Sequence, residues 1–286
     1  MFKRLLKPLY PFIFILFLIV QRALKKKKFL ILWNRGLGDI ALGLYGLNQR
    51  IRDVIPSAKI TYITREDLKE GFELLPDCTV IVDLSMQRGQ PYKIDAAQSC
   101  LYDVVIKKAN PTDWLRDQIG RVVPKLKFPP SKQDEFREMT VGIHVQTETG
   151  QYYGYNKNWP IASFHSCIEA LNEKGIIPIL FGLYQNKDFE GLQVRDFRGL
   201  TGLHETLSVI TKECHTLLVP DSGILSLTYY LDLSFPLHIV SIWSDPHQGV
   251  LKQKVPSPNP GLKHTVLIEK DLRQLKVERV LKAIVC

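Results

Sequence analysis

Phe29-Leu30-Ile31-Leu32-Trp33 passes directly into Asn34-Arg35-Gly36-Leu37-Gly38-Asp39, and apolar residues then return at Ile40, Leu44, Leu47, Ile51 and Val54-Ile55. An apolar run without alternation predicts a strand covered on both faces, and the spacing that follows is helical. Pro56-Ser57 stops the helix. Lys59 to Thr64 (K-I-T-Y-I-T) then alternates like a second strand, residues 66–75 read as a short helix, and Thr79 to Leu84 as a third strand. A β-α-β-α-β order of this kind predicts a parallel, doubly wound sheet.

The next residues are less regular, with a strand expected at Tyr102 to Ile106 and a helix around Trp114 to Val122. Pro124, Pro129 and Pro130 mark a linker. The pattern then restarts. A strand is expected at Thr140 to Val145, a helix over 161–174 ended by Gly175, and a strand at Ile176 to Phe181 before Gly182. A helix at 204–213, a strand at His215 to Val219, the Pro220-Asp221-Ser222-Gly223 turn into another helix, and a last strand at His238 to Trp243 complete it. The expected fold is α/β: a Rossmann-like domain over 29–130 and a second over 131–286, facing a cleft. Sheets of this kind bind ligands at the carboxyl ends of their strands.

The composition, 45% hydrophobic and 23% charged, excludes disorder, a fibrous repeat and a multi-span membrane protein. A net charge of +9 raises the question of nucleic acid, but its location answers it. Residues 1–28 hold eight basic residues and no acid, leaving 30 basic against 29 acidic residues in a nearly neutral body. No nucleic-acid partner is expected. The five cysteines form no C-x-x-C pair, so they read as small buried hydrophobes in a reducing compartment.

Leu9 to Val20 is uncharged, and Lys25 to Lys28 follow it. As a helix this stretch covers roughly 18 Å, short of a ~30 Å hydrocarbon core. A signal peptide would need a small-x-small cleavage site, which is missing. Residues 1–28 are therefore expected to be a membrane-inserted anchor, re-entrant or interfacial, with the lysines at anionic headgroups. The competing reading is a hydrophobic helix packed on the protein's own body.

Candidate chemistry collects after strands. Asp39 opens a helix, where an N-cap is the default; held at a strand's carboxyl end it could instead act as a general base, with Gly36 and Gly38 allowing substrate close to the backbone. Lys157, in Asn156-Lys157-Asn158-Trp159-Pro160, is placed to neutralise a diphosphate, although a lone lysine is usually solvated. Asp221-Ser222-Gly223 reads either as an ordinary cap or as an anion site at a helix start. His144 and His247 are acid–base candidates without an evident partner. No Asp-x-Asp pair, P-loop or His-rich metal pattern occurs, so metal-independent chemistry is expected.

In this order the segments resemble glycosyltransferase family nine, the ADP-heptose–lipopolysaccharide heptosyltransferases and their relatives. The residues that carry the likeness are Arg35-Gly36-Leu37-Gly38-Asp39-Ile40, Gly142-Ile143-His144, Lys157-Asn158-Trp159-Pro160, Leu180-Phe181-Gly182, Arg198-Gly199-Leu200-Thr201, Asp221-Ser222-Gly223 and Ser244-Asp245-Pro246. The resemblance implies a GT-B fold, with the acceptor on the amino-terminal half and a nucleotide-sugar, ADP-linked, on the other. It implies an inverting transferase moving heptose or a similar sugar to a lipopolysaccharide-core or other envelope glycan, without a cofactor, at the cytoplasmic face of a bacterial inner membrane. By the same likeness Asp39 matches the general base, Lys157 the lysine at the leaving diphosphate, and Asp221-Ser222-Gly223 with Ser226 the donor loop. Thr147 lies near a phosphate contact. Ser226 stands where the family usually has histidine, and Tyr184 where it often has a carboxylate. These departures keep two alternatives open: a transferase with a different nucleotide-sugar, and a GT-B-type binding or scaffold protein without turnover.

Overall fold

The computed structural model describes residues 9–107, 122–129, 139–147 and 156–285. The helix expected around Trp114 to Val122 falls almost wholly outside them. The chain divides into two compact units. The first is Met1–Phe128 with two short returns, Tyr230–Asp232 and Gln253–Pro258; the second is Pro129–Tyr229, Leu233–Lys252 and Asn259–Cys286.

Backbone pairing explains the first return. Leu126 and Leu231 form a parallel bridge, with Leu126 N donating to Tyr230 O at 3.0 Å and Asp232 N to Leu126 O at 2.9 Å. Tyr230 Oη reaches Val255 O at 3.1 Å, tying the second return to the first.

The first unit opens with helix α1 (Tyr10–Ala23) and strand β1 (Lys28–Trp33). After the glycine turn come α2 (Tyr45–Val54), β2 (Lys59–Thr64), the short α3 (Lys69–Glu73), β3 (Cys78–Val82), α4 (Ala96–Ser99) and β4 (Val104–Ile106). The sheet is parallel in the order β3-β2-β1-β4. Every residue of β1 after Lys28 is buried, as its uninterrupted apolar run requires. Leu30 and Leu32 pack on one face with Ile63 and Met86, while Phe29 and Ile31, which alternate with them in the sequence, are fully buried as well. The expected helix over 66–75 is shorter, a 3-10 turn at Glu66–Leu68 followed by α3.

The described part of the N-terminal segment forms the 14-residue α1, and among the described residues no helix is long and apolar enough to cross a membrane. The expectation of a membrane-inserted anchor therefore has no spanning helix behind it. One side of α1 packs on the body instead, where Leu18, Pro11 and Gln21 are buried and the Arg50 guanidinium of α2 lies 5.7 Å from the Phe14 ring.

The second unit contains β5 (Val141–His144), α5 (Ile161–Asn172), β6 (Ile179–Phe181), β7 (Arg195–Asp196), α6 (Leu203–Glu213), β8 (Thr216–Pro220), α7 (Gly223–Tyr229), β9 (Leu237–Trp243), the start of α8 (Gly249–Gln253), β10 (Leu262–Ile268) and α9 (Val277–Val285). The order β7-β6-β5-β8-β9-β10, all parallel, is the Rossmann order 3-2-1-4-5-6. His238–Trp243, expected as the last strand, is followed by β10 and α9, and β7 is a further strand that the sequence pattern does not signal. Two-residue β7 is too short and polar to register as a strand. In β10, Lys263, His264 and Thr265 interrupt the apolar signal of an edge strand paired on one side. The core packs one face of the sheet, through Leu180 and Val240, against α5 and α9, through Phe164, Ile168 and Val280.

Cys167 and Cys214 are buried, Cys78 is partly so, and none of these is bridged. Burial pushes the Cys167 and Cys214 thiols up to about 12, so they stay protonated and inert.

Candidate active-site residues at the two switch points

In each unit the sheet order reverses beside the first strand, and ligands of open α/β sheets sit outside the carboxyl ends of the strands at such a point. In the first unit the reversal lies between β1 and β4, and the chain leaving β1 is the Asn34–Asp39 turn. In the second it lies between β5 and β8. The segments leaving these strands carry Thr147 and Lys157 on one side and Asp221-Ser222-Gly223 on the other.

The turn after β1 is held by its neighbours. Thr64 Oγ1 donates to Trp33 O at 2.8 Å, and Asn34 Nδ2 donates to Gln87 O and Gln90 O, both at 2.8 Å. That last pair fastens the loop after β3 to the turn, a role for Asn34 that its place in the sequence did not reveal. Asp39 stands at the N-cap position that the sequence suggests, but not as an ordinary cap. Its backbone is already helical (φ −64°, ψ −19°), and its side chain caps no amide. It opens one wide π-type turn, Ile40–Leu44, whose residues are all buried; such turns are frequent at functional sites. A Cβ at Gly36 would lie 3.0 Å from Asp39 Oδ2, so glycine leaves room for the carboxylate there. Gly38 closes the turn by accepting from Leu42 N at 3.1 Å.

In the second unit, Lys157 Nζ meets Asp221 Oδ2 at 2.6 Å, and both side chains are about nine-tenths buried, with 10% and 8% exposed. The lysine is thus paired and sheltered, and the usual solvated reading does not hold. Its loop is locked from both sides. Asn158 Oδ1 accepts from Thr147 N at 2.8 Å while Asn158 Nδ2 donates to Thr147 O at 3.1 Å, which brings Thr147 alongside the lysine segment. Trp159 is buried, packs edge-on against Phe164 and donates to Leu275 O at 3.0 Å. The Ser244 hydroxyl donates to Asn156 O.

Ser222 Oγ accepts from Leu225 N at 3.2 Å, the expected cap, and Gly223 begins α7. Ser226 is buried, and its hydroxyl donates back to Ser222 O at 3.1 Å within that helix. Because α7 is only seven residues long, its dipole is weak beside a sheltered ammonium, and Lys157 is the stronger source of positive charge here. Gly249 was not read from the sequence: at φ +46° its missing Cβ would collide with Asp221 Oδ1 and lie 2.7 Å from Trp243 Cη2. Only glycine lets that loop close on Asp221.

Further along the same sheet edge, an open depression of about 370 Å³ is lined by Gln185, Asn186, Phe189, Asp196 and Arg198 among others. Arg198 is 2% exposed and uses four of its N–H groups on Asp196 and Asn186, with its guanidinium 4.7 Å from the Phe189 ring. Burial pushes the Asp196 carboxyl up, but the bonds from Arg198 outweigh it and hold the group below its ordinary value. Arg198 is a brace, not an anion receptor.

The histidine candidates separate. His247 is exposed and meets Asp245 within its own loop. His144 is buried, its Nδ1 has no hydrogen-bond partner among the described residues, and burial lowers its pKa to about 4. At neutral pH it is an uncharged packing group. Its folded pKa lies below the ordinary 6.5, so the stability it confers is complete above about 6.5 and is lost as pH falls toward 4. The expected slope across that window is up to about 1.4 kcal/mol per pH unit from this residue, with partly buried His264 adding in the same direction. Urea unfolding at pH 7 and pH 5 measures it. An unchanged slope in His144→Leu removes the assignment.

Two parallel Rossmann-type sheets, each with candidate groups at its switch point, define a GT-B-like α/β protein. Solved structures share this fold. The E. coli ADP-heptose lps heptosyltransferase II is 14% identical, with 90% of this chain and 97% of that chain covered at TM-score 0.62. The glycosyl transferase family 9 structure from Veillonella parvula is 15% identical, with 90% and 96% covered at TM-score 0.58. The E. coli heptosyltransferase WaaC with ADP is 16% identical, with 90% and 96% covered at TM-score 0.50. No protein-family model and no curated protein matches the sequence. Among the described residues, no three His, Cys, Asp or Glu side chains gather as a metal site.

Proposed function

We propose that this chain is an inverting glycosyltransferase that moves a sugar, heptose or a close relative, from a nucleotide-diphosphate donor to a hydroxyl of a lipid-linked envelope glycan. The observation that carries the reading is the buried Lys157–Asp221 pair at the switch point of a 3-2-1-4-5-6 sheet. A sheltered ammonium, kept in place by a carboxylate, suits a site where negative charge develops on a departing diphosphate. ADP is the favoured nucleotide, because the WaaC structures of the same fold hold ADP and ADP-2-deoxy-2-fluoro heptose.

In the proposed reaction Asp39 takes the proton of the acceptor hydroxyl. The oxygen's electron pair forms the new bond to the anomeric carbon as the bond to the diphosphate breaks on the opposite face, which inverts that carbon. The leaving nucleoside diphosphate keeps the bonding pair, and Lys157 stabilises it. Lys157 and the absence of an Asp-x-Asp pair support a reaction that needs no divalent cation. The proposed place of action is the cytoplasmic face of a bacterial inner membrane.

The reading without turnover is favoured by one observation: Ser226 spends its hydroxyl inside its own helix. A thermal-shift series with ADP, UDP, GDP and their sugars separates these readings. A ligand present at about 100 times its Kd stabilises the folded state by about 2.7 kcal/mol. ADP and an ADP-sugar are expected to raise the melting temperature most, and release of free ADP on adding acceptor establishes transfer. Binding of ADP-sugar without release favours the scaffold, a larger shift with UDP or GDP names a different donor, and no shift with any nucleotide removes both transferase readings.

A further inference from the structure

Helix α1 has a face that stays exposed among the described residues. Pro11, Leu18 and Gln21 are buried against the body, whereas Phe12, Ile13, Leu16, Ile19, Val20 and Leu24 are roughly half exposed or more. At 100° per residue, the second set falls on the side opposite the first. The sequence offers no polar stripe to water: from Leu9 to Gln21 the helix has no charged residue. A helix that is apolar all round and packed on one side only presents its other side to an apolar medium.

The basic residues lie at one end of that face. Arg22, Lys25 and Lys27 are exposed, and Lys28 opens β1 directly beside Lys59, which opens β2. The turn that displays them is built in place. Lys25 adopts φ +55°, and the Asp103 carboxylate accepts from both Lys27 N and Lys28 N at 2.8 Å.

We propose that α1 and the Lys25–Lys28 turn form a docking surface for one leaflet of a bilayer rich in anionic lipid, with the helix lying in the plane of the interface. Length and attachment fix the mode. Fourteen residues span about 21 Å, less than a ~30 Å hydrocarbon core, and the side fastened to α2 keeps the helix on the body. Charge selects the occupant. A second copy would bring the same basic turns, and a strip one helix wide is far short of the roughly 800 Å² per partner of a stable dimer. Anionic headgroups supply what the apolar face lacks, with each lysine near the surface strengthening binding roughly five-fold. The inference does not rest on the transferase reading.

Flotation of the full chain with vesicles tests it, using phosphatidylcholine alone and phosphatidylcholine mixed with phosphatidylglycerol. The wild type is expected to float with the mixed vesicles, less with the neutral ones, and less again at high salt. The triple variant Phe12→Ser, Leu16→Ser, Val20→Ser is expected to lose binding to both. The double variant Lys25→Gln, Lys27→Gln is expected to lose only the preference for phosphatidylglycerol, by roughly 25-fold if the two charges add. Failure of the wild type to float, undiminished binding by the triple variant, or a dimer abolished by the triple variant while flotation persists would each overturn the proposal. If the triple variant does not fold, the lysine variant decides alone, and full retention of the preference overturns it. ADP-induced thermal shifts are read in every variant; their absence alongside vesicle binding counts against the transferase reading and leaves this one standing.

Discussion

Asp39→Asn is expected to abolish sugar transfer while leaving nucleotide binding intact. Asparagine keeps the shape of the side chain and its fit over Gly36 but cannot accept the acceptor's proton. General-base catalysis contributes about 10²–10⁴-fold, so kcat should fall by that amount with donor affinity unchanged. Isothermal titration with ADP, melting curves and ADP release together check this. Transfer within a few fold of wild type would remove Asp39 from the reaction.

Lys157→Met is expected to have two separable effects. The lysine and Asp221 are both about nine-tenths buried at 2.6 Å, so removing the cation leaves a carboxylate without its partner. Losing one member of such a pair costs about 3–5 kcal/mol of stability, and donor affinity and turnover should fall with it. The double variant Lys157→Met, Asp221→Leu tells structure from function. Replacing a whole buried pair by apolar groups is often neutral or stabilising, so the melting temperature should recover while donor binding stays lost. Recovery of both would mean that the pair is structural. The same energetics says why the pair calls for a functional account: for stability alone, two apolar side chains would serve as well.

Much of the architecture is legible in the chain. β1 announces itself because a parallel strand covered on both faces needs apolar residues at every position. The turn at Gly36-Leu37-Gly38 and the helical spacing from Ile40 give the crossover that forces the next strand parallel. β7 and β10 were not legible, because an edge strand is paired on one side and needs no continuous apolar run. Arg195-Asp196 becomes a strand through the edge that β6 presents, not through its own composition.

The candidate site divides in the same way. Asp39 and Lys157 stood out by position, each after a strand, but each had an ordinary alternative: a cap for the one, a solvated lysine for the other. The fold removed both alternatives, by giving Asp39 a helical backbone with no capping bond and by burying Lys157 against Asp221. Asn158, Asn34 and Gly249 entered only with the structure, because their roles lie in contacts to residues far away in sequence or in a backbone angle that composition does not encode. The sequence by itself determined that there are two parallel α/β units and which loops leave their strands, since burial pattern and chain order are local properties. Only the tertiary structure decided that β5 and β8 are neighbours, and so that Lys157 meets a carboxylate 64 positions away. Strand order is set by how helices pack across a sheet, and no stretch of chain carries that information alone.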